Sequence, residues 1–156
     1  TIRENNDIQF IWQTGKYYYP QVTEAVRAAG ELPNLYVTDF IKDMAAAYAA
    51  SDLVISRAGA GSISEFCLLH KPVVLVPSPN VAEDHQTKNA LALVDKQAAI
   101  YVKDSEAEAK LMDVALNTVA DDRKLKELSE NIAKLALPDS ARIIAQEVIK
   151  LAEAEN

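Results

Sequence analysis

The sequence predicts an α/β fold, a Rossmann-like doubly wound parallel sheet flanked by helices. Strand-like and helical patterns alternate five times along its 156 residues. Residues 73–76 are an uninterrupted Val-Val-Leu-Val run, which is typical of a parallel strand buried on both faces. Residues 53–65, LVISRAGAGSISE, lead from an apolar strand through a glycine-rich turn into a helix. With no linker or repeat in view, we expect one domain over residues 1–156.

The remaining elements follow from hydrophobic periodicity. Short apolar runs predict five strands, at residues 8–12, 35–37, 53–56, 73–76 and 98–102. A turn is expected at residues 13–16. Apolar residues at helical spacing predict helices at residues 21–29, from about 44 to 51, 62–70, 83–96, from 105 onward, 121–137 and 139–153. We expect Thr38 or Asp39 to cap the second helix.

Charge and composition exclude several classes of function. The formal net charge is −7, from 16 basic and 23 acidic residues, which argues against a nucleic-acid-binding surface. No apolar run approaches the roughly 20 residues that a membrane-spanning helix needs. No basic amphipathic helix is visible either. We therefore expect the chain itself to be soluble.

The cysteine and histidine content argues against redox and metal chemistry. The single cysteine, Cys67, lies in an apolar helical pattern, so we expect a core residue rather than a nucleophile. His70 and His85 lie too far apart in sequence for local metal-ligand spacing. A reducing cytoplasm fits this cysteine usage best.

The glycine-rich turn is the strongest candidate site. A strand that feeds a small-residue turn at a helix start presents backbone N–H groups to an anion such as a diphosphate. Gly59 and Gly61 lack a Cβ, so a ligand could approach the backbone closely. Glu65 lies one turn after Ser62 on the same face, where a carboxylate could accept hydrogen bonds from sugar hydroxyls. The alternative is a capping box, in which Ser62 and Glu65 satisfy each other's backbone donors.

Three turns are expected to meet at this site. They follow the first, third and fourth predicted strands, at residues 13–16, 58–62 and 77–86. Ligands of open parallel sheets bind outside the carboxyl ends of the strands. The sequence therefore predicts one crevice lined by these turns. Simple hydrophobic packing is the competing interpretation for Phe40, Ile41 and Met44.

Three ordered motifs carry a resemblance to a known family. They are FIKDM at residues 40–44, SRAGAGSISE at 56–65 and HQTKNA at 85–90. In this order and spacing they resemble the C-terminal half of the MurG family of bacterial glycosyltransferases, and the likeness extends over nearly the whole chain. Members of that family add N-acetylglucosamine to lipid I in cell-wall synthesis. The resemblance implies one half of a GT-B fold, the domain that binds the nucleotide-sugar donor.

The resemblance assigns the uridine and diphosphate contacts. It implies that the backbone of Ile41 reads the uracil edge and that Met44 packs nearby. Ala60, Gly61 and Ser62 would face the diphosphate at the helix start. Because these contacts use backbone groups, a different side chain at Gly61 need not impair them.

The resemblance also assigns the sugar contacts. Glu65 corresponds to the glutamate that binds the ribose hydroxyls. Gln86 corresponds to a glutamine that contacts the N-acetylglucosamine hydroxyls, and His85 occupies the position beside it. Arg57 matches an arginine of the family motif, with a role that is either structural or related to the acceptor.

The resemblance leaves the catalytic residue unknown. Nothing in the chain matches the N-terminal acceptor domain of the family, which should carry the catalytic base and the contacts with lipid I. We therefore expect a fragment that binds the donor weakly and does not turn over alone. The resemblance implies no cofactor and no metal, and it places the complete enzyme peripherally on the cytoplasmic face of the bacterial inner membrane.

Two alternatives stay open from the sequence. The first is another GT-B enzyme that uses a nucleotide sugar, either a transferase or a 2-epimerase. The second is a non-catalytic nucleotide-binding module. Competition between nucleotide sugars would separate the enzymes from one another, and an unchanged ligand affinity in Glu65→Ala would favour the non-catalytic module.

Overall fold

A computed structural model describes residues 1–79 and 84–154. The chain divides into two compact units, Thr1–Ser51 and Asp52–Asn156, called here the N-terminal unit and the C-terminal unit. Both units are α/β, and every pair of described strands is parallel. The predicted α/β class with parallel sheets and flanking helices is confirmed. The prediction of one domain stays a prediction.

The N-terminal unit contains a two-stranded sheet and two α-helices. After a short 3₁₀ helix at Ile2–Glu4, the elements are β1 (Phe10–Gln13), α1 (Gly15–Ala29), β2 (Leu35–Thr38) and α2 (Met44–Ala50). In the sheet, Phe10 lies opposite Leu35 and Gln13 opposite Thr38. The carboxyl ends of β1 and β2 therefore lie side by side, and the loops that leave them start from the same edge.

The helix α1 begins earlier than predicted. It starts at Gly15 rather than at residue 21, so the second half of the predicted turn at residues 13–16 is helical. Pro20 lies inside the helix, although proline favours the first helical turn. The Thr23 hydroxyl donates to the carbonyl oxygens of Tyr19 and Pro20 at 2.9 and 3.0 Å. The Thr23 side chain thus contacts two carbonyl groups beside the proline.

The cap of α2 also differs from the prediction. Neither Thr38 nor Asp39 caps the helix. Asp43 does, because its carboxylate accepts a hydrogen bond from the Ala46 N–H at 2.9 Å. The Thr38 hydroxyl is instead used in the preceding loop, where it donates to the Phe40 carbonyl at 3.1 Å.

The C-terminal unit contains a three-stranded parallel sheet and five helices among the described residues. Its elements are β3 (Val54–Ser56), α3 (Ala60–Leu69), β4 (Val73–Leu75), α4 (His85–Val94), β5 (Ile100–Tyr101), α5 (Asp104–Val119), α6 (Asp122–Ala133) and α7 (Ser140–Ala154). The strand order is β3-β4-β5. All three strands lie where predicted but are shorter. The predicted start of α4 at Glu83 lies outside the described residues.

The core of the C-terminal unit surrounds the central strand. Val73, Val74 and Leu75 of β4 are completely buried, as the apolar run predicts. Phe66 of α3 and Ile132 of α6 are also buried, and the two helices contact each other. A strand buried on both faces fixes the position of the loop that follows it. The turn after β4 therefore extends from a rigid support, and β3 pairs directly with that strand.

Candidate functional site

The turn after β3 leads directly into α3. Gly59 is the N-cap residue in an extended conformation, and no side chain caps the helix. The first hydrogen bond of the helix runs from the Ile63 N–H to the Gly59 carbonyl at 3.0 Å. The N–H groups of residues 60–62 therefore lie in the first turn, where they have no partner within the helix. This geometry suits an anion.

The alternative interpretation of Ser62 and Glu65 as a capping box is wrong. The helix begins two residues earlier, at Ala60, so Ser62 is a helical residue rather than the cap. Alanine has the highest helix propensity, and Gly59 can serve as an N-cap, which together extend the helix toward the strand. Glu65 lies on the same helical face as Ser62 and is exposed.

The space in front of the turn is open. A Cβ placed on Gly59 or on Gly61 would meet no atom within 4 Å. Gly59 has a φ of −68°, an ordinary value for any residue. Neither packing nor backbone conformation therefore requires glycine at position 59. One physical reason for a glycine remains: because it has no Cβ, a ligand can approach its backbone closely.

Two amide side chains of α4 hold the residue before Gly59. Ala58 is completely buried. Its N–H donates to Gln86 Oε1 at 3.2 Å, and its carbonyl accepts from Asn89 Nδ2 at 3.1 Å. Gln86 Oε1 also accepts from the Ser78 N–H, at 2.9 Å. Gln86 thus joins the turns after β3 and β4, as the sequence predicts for these two turns. We call Gln86 and Asn89 the amide clamp.

Arg57 contacts the end of β4 and the start of α5. Its Nη1 donates to the carbonyl oxygens of Val76 and Pro77 at 3.1 and 3.3 Å. The same nitrogen forms an ion pair with Asp104, the first residue of α5. Arg57 therefore connects the turn after β3 to the end of β4 and to the start of α5. This supports the structural alternative for the arginine.

His85 begins α4 and is exposed. It follows Asp84, which has a left-handed conformation with a φ of 54°. Gln86 is the next residue and is half-buried. Both residues lie in the first turn of α4.

A second candidate region lies in the N-terminal unit, where a hollow of about 460 Å³ opens beside the loop between β2 and α2. Its lining residues are Ile11, Tyr36, Thr38, Asp39, Phe40, Ile41, Lys42, Asp43 and Ala47. The packing interpretation is wrong for Phe40, which is 61% exposed. Ile41 and Met44 are half-buried, and Met44 lies at the start of α2 rather than in the lining.

The loop that carries Ile41 is held from β1. The Ile41 N–H donates to Gln13 Oε1 at 2.8 Å. Gln13 ends β1 and Thr38 ends β2, so the contact extends the pairing of the two strands into the loop. A ligand that used the Ile41 N–H would have to replace Gln13.

The predicted site residues therefore fall into two groups. Arg57, the turn at residues 60–62, Glu65, His85 and Gln86 belong to the C-terminal unit. Ile41 and Met44 belong to the N-terminal unit. The prediction that the loop after β1 and these groups share one crevice stays a prediction. The sequence analysis placed Gln13 in a turn of the expected crevice but gave it no contact with Ile41. It missed Asn89 and Asp104 as partners of the site, and of these two only Asn89 had a signal, because it lies three residues after Gln86 in the HQTKNA motif.

The prediction that Cys67 is a core residue is confirmed. The side chain is buried, and this burial raises the pKa of the Cys67 thiol. A neutral buried thiol is a poor nucleophile. Across residues 1–79 and 84–154, no group of three metal-binding side chains comes together. No helix in this part of the chain is long and apolar enough to cross a membrane.

Comparison with known proteins decides the family. Residues 1–144 match the glycosyltransferase family 28 C-terminal domain. The chain belongs to this family. The resemblance drawn from the three sequence motifs is confirmed.

Individual relatives agree with the family assignment. The chain is 99% identical over all 156 residues to a UDP-N-acetylglucosamine--N-acetylmuramyl-(pentapeptide) pyrophosphoryl-undecaprenol N-acetylglucosamine transferase of Bacteroides thetaiotaomicron, and it covers 42% of that protein. It is 81% identical over 97% of its length to the same-named protein of Bacteroides fragilis, covering 40% of it. The chain thus spans about two fifths of the length of these curated relatives.

A solved structure gives the same result for the fold. The crystal structure of Acinetobacter baumannii MurG matches 90% of this chain with a TM-score of 0.77 and 31% sequence identity. The match covers 42% of that protein. The chain therefore has the α/β fold of one part of a MurG protein. This result agrees with the prediction of one half of a GT-B fold.

Proposed function

We propose that this chain is the donor-binding half of an inverting glycosyltransferase. The complete enzyme would transfer N-acetylglucosamine from UDP-N-acetylglucosamine to undecaprenyl-pyrophosphoryl-N-acetylmuramyl-pentapeptide (lipid I), forming lipid II for peptidoglycan. The observation that carries this proposal is the 99% identity to the Bacteroides thetaiotaomicron transferase over the whole chain. The site geometry supports it, because each part of the donor has a matching group.

The uridine would bind at the hollow of the N-terminal unit. The backbone of Ile41 can read uracil through one carbonyl acceptor and one N–H donor, since a mismatched base would leave a buried polar group unpaired. Gln13 now holds that N–H, so binding would exchange one hydrogen bond for another. The exposed ring of Phe40 provides an apolar surface at the rim, and Met44 would pack nearby.

The diphosphate would bind at the start of α3. Ala60, Gly61 and Ser62 present backbone N–H groups there, and the positive end of the helix dipole attracts an anion. When the acceptor hydroxyl attacks the anomeric carbon, the bond from that carbon to the diphosphate oxygen breaks. The same N–H groups would then stabilise the charge that grows on departing UDP.

The sugar rings would contact Glu65, His85 and Gln86. An ionised Glu65 accepts two hydrogen bonds from the ribose hydroxyls, and such charge-assisted bonds are stronger than neutral ones. Gln86 Oε1 is already shared by two backbone N–H groups. The amide N–H groups of Gln86 would therefore donate hydrogen bonds to N-acetylglucosamine, with His85 beside them.

The catalytic base and the contacts with lipid I would belong to the part of the protein outside this chain. The acceptor carries a polyprenyl chain, so the complete enzyme would work peripherally at the cytoplasmic face of the inner membrane. We expect the chain alone to bind donor weakly and to lack turnover. We propose neither a cofactor nor a metal for it.

Donor titration with a Glu65 variant tests this proposal. Calorimetry should show that UDP-N-acetylglucosamine binds the full-length protein more tightly than UDP-glucose does. Glu65→Ala should weaken donor binding by about 2–4 kcal/mol, because two hydrogen bonds to a charged group are lost. Glu108→Ala, which removes an exposed glutamate of α5, serves as the matched control and should change nothing.

Two results would contradict the proposal. One is equal affinity for several nucleotide sugars, which would favour a different GT-B enzyme. The other is a Glu65→Ala variant that binds the donor as tightly as the unmodified protein, which would favour a non-catalytic module.

A further inference from the structure

We propose that Asn89 is a positioning residue for the diphosphate. It acts through the Ala58–Gly59 peptide group rather than by touching the ligand. This inference rests on the proposed function, in which the turn that starts at Gly59 receives the diphosphate of a nucleotide sugar. It adds a residue that neither the sequence motifs nor the family resemblance assigns to a role.

The contact geometry sets the direction of one N–H group. Asn89 Nδ2 donates to the Ala58 carbonyl at 3.1 Å. That carbonyl and the Gly59 N–H belong to the same peptide group. In a trans peptide the C=O and N–H bonds point in opposite directions. Asn89 therefore holds the carbonyl on the side of α4 and turns the Gly59 N–H away from that helix.

The turn needs this restraint because of its composition. Gly59 has no Cβ, and the space around its Cα is open. Glycine adopts many backbone conformations at little cost, so the peptide before it can rotate easily. An anion site made of N–H groups works only if those groups keep one direction without a ligand. The missing Cβ of Gly59 therefore admits a ligand but also makes the backbone more flexible. The contact from Asn89 restricts this flexibility.

The two residues of the amide clamp hold different peptide groups. Gln86 Oε1 accepts from the N–H of Ala58, which belongs to the peptide group before the one that Asn89 holds. Both peptide groups around the buried Ala58 are thus fixed from one rigid helix. Gln86 also reaches Ser78 and keeps its N–H donors for a sugar. Asn89 uses its donor group on the protein itself, which makes it the residue with a positioning role alone.

The test compares two asparagines that make the same bond. Asn131 Nδ2 donates to the Gln97 carbonyl at 3.1 Å, far along the sequence from the turn, and it is half-buried like Asn89. Asn89→Leu and Asn131→Leu each remove one such bond, keep the number of side-chain heavy atoms and add no charge. Asn131→Leu also removes the bond that Asn131 Oδ1 accepts from Lys134 Nζ at 2.9 Å. Both would be made in the full-length protein. The measured quantities are the Kd values of UDP and of uridine, which lacks the diphosphate, together with thermal unfolding.

The expected result is a loss specific to the diphosphate. In Asn89→Leu the Kd of UDP should rise about 3- to 10-fold, which corresponds to part of one hydrogen bond, while the Kd of uridine changes less than about twofold. Asn131→Leu should leave both values unchanged. In Asn89→Leu, turnover of UDP-N-acetylglucosamine should show a higher KM for the donor.

Other outcomes would overturn the proposal. If Asn89→Leu weakens UDP and uridine equally, or neither, Asn89 is only a packing residue. If Asn89→Leu does not fold, Asn89→Ala provides the same comparison with the same two readings. If the unmodified protein itself fails to bind UDP, the proposed function falls and this inference with it. The unmodified control therefore distinguishes the two failures.

Discussion

At the scale of single residues, the site depends on polar side chains that hold backbone groups in place. Arg57 contacts two carbonyl groups at the end of β4, and the amide clamp contacts Ala58. None of these side chains needs to touch a ligand to affect binding. Their common effect is to fix short turns that the hydrophobic core alone would leave loose.

Removing the Arg57 contacts should destabilise the protein. We expect Arg57→Met to lower the free energy of unfolding by about 1–2 kcal/mol, because hydrogen bonds from a charged group are lost but the side chain is partly exposed. Urea unfolding measures this loss. Arg142→Met removes an exposed ion pair between α7 and Asp139, which precedes that helix, and should cost less than about 0.5 kcal/mol. Equal effects in the two variants would argue against the structural role of Arg57.

Local residue patterns explain which site residues could be predicted. One strand-turn-helix pattern contains Gly59, Gly61 and Glu65. Local sequence rules were therefore enough to predict where these residues lie. The Asn89–Ala58 bond joins residues 31 positions apart, and Gln13–Ile41 joins residues 28 apart. No local rule gives such contacts, because they depend on which strands become neighbours.

At the scale of elements, helix starts were the least predictable feature. The prediction placed Ser62 at the start of α3, but Gly59 is the cap and the helix starts at Ala60. In α1 the helix passes through Pro20. Strand positions were predicted well, because buried apolar runs such as residues 73–76 have only one stable environment. Cap positions depend on small differences between neighbouring residues and are easily misjudged.

The two glycines at the start of α3 should respond differently to substitution. Gly61 is inside the helix, so Gly61→Ala should stabilise the protein by about 0.5–1 kcal/mol. Because the site uses backbone groups, the Kd of UDP should change less than about twofold. Gly59→Ala adds a methyl group where we expect the diphosphate, and the Kd should rise on the order of tenfold.

Calorimetry and urea unfolding of the same two variants check this contrast. Each glycine serves as the control for the other, since both gain the same methyl group in open space. If Gly59→Ala binds UDP as well as Gly61→Ala does, the ligand does not approach Gly59 closely.

At the scale of the whole molecule, the order of strands and helices was predictable and the assembly of the site was not. Regular alternation indicates parallel pairing, and both sheets are parallel. Within the C-terminal unit, the turns after β3 and β4 are joined through Gln86, as expected for neighbouring parallel strands. No local sequence rule decides whether Ile41 binds the same nucleotide sugar as the turn after β3.

The most direct test of the central claim is a backbone amide NMR titration of this chain with UDP-N-acetylglucosamine. We predict shifts at Ile41 in the N-terminal unit and at Gly61, Glu65 and Gln86 in the C-terminal unit, all with one common midpoint. A common midpoint is expected if these residues bind one donor molecule. Different midpoints, or unchanged amide signals at these residues, would contradict the claim that they bind this nucleotide sugar.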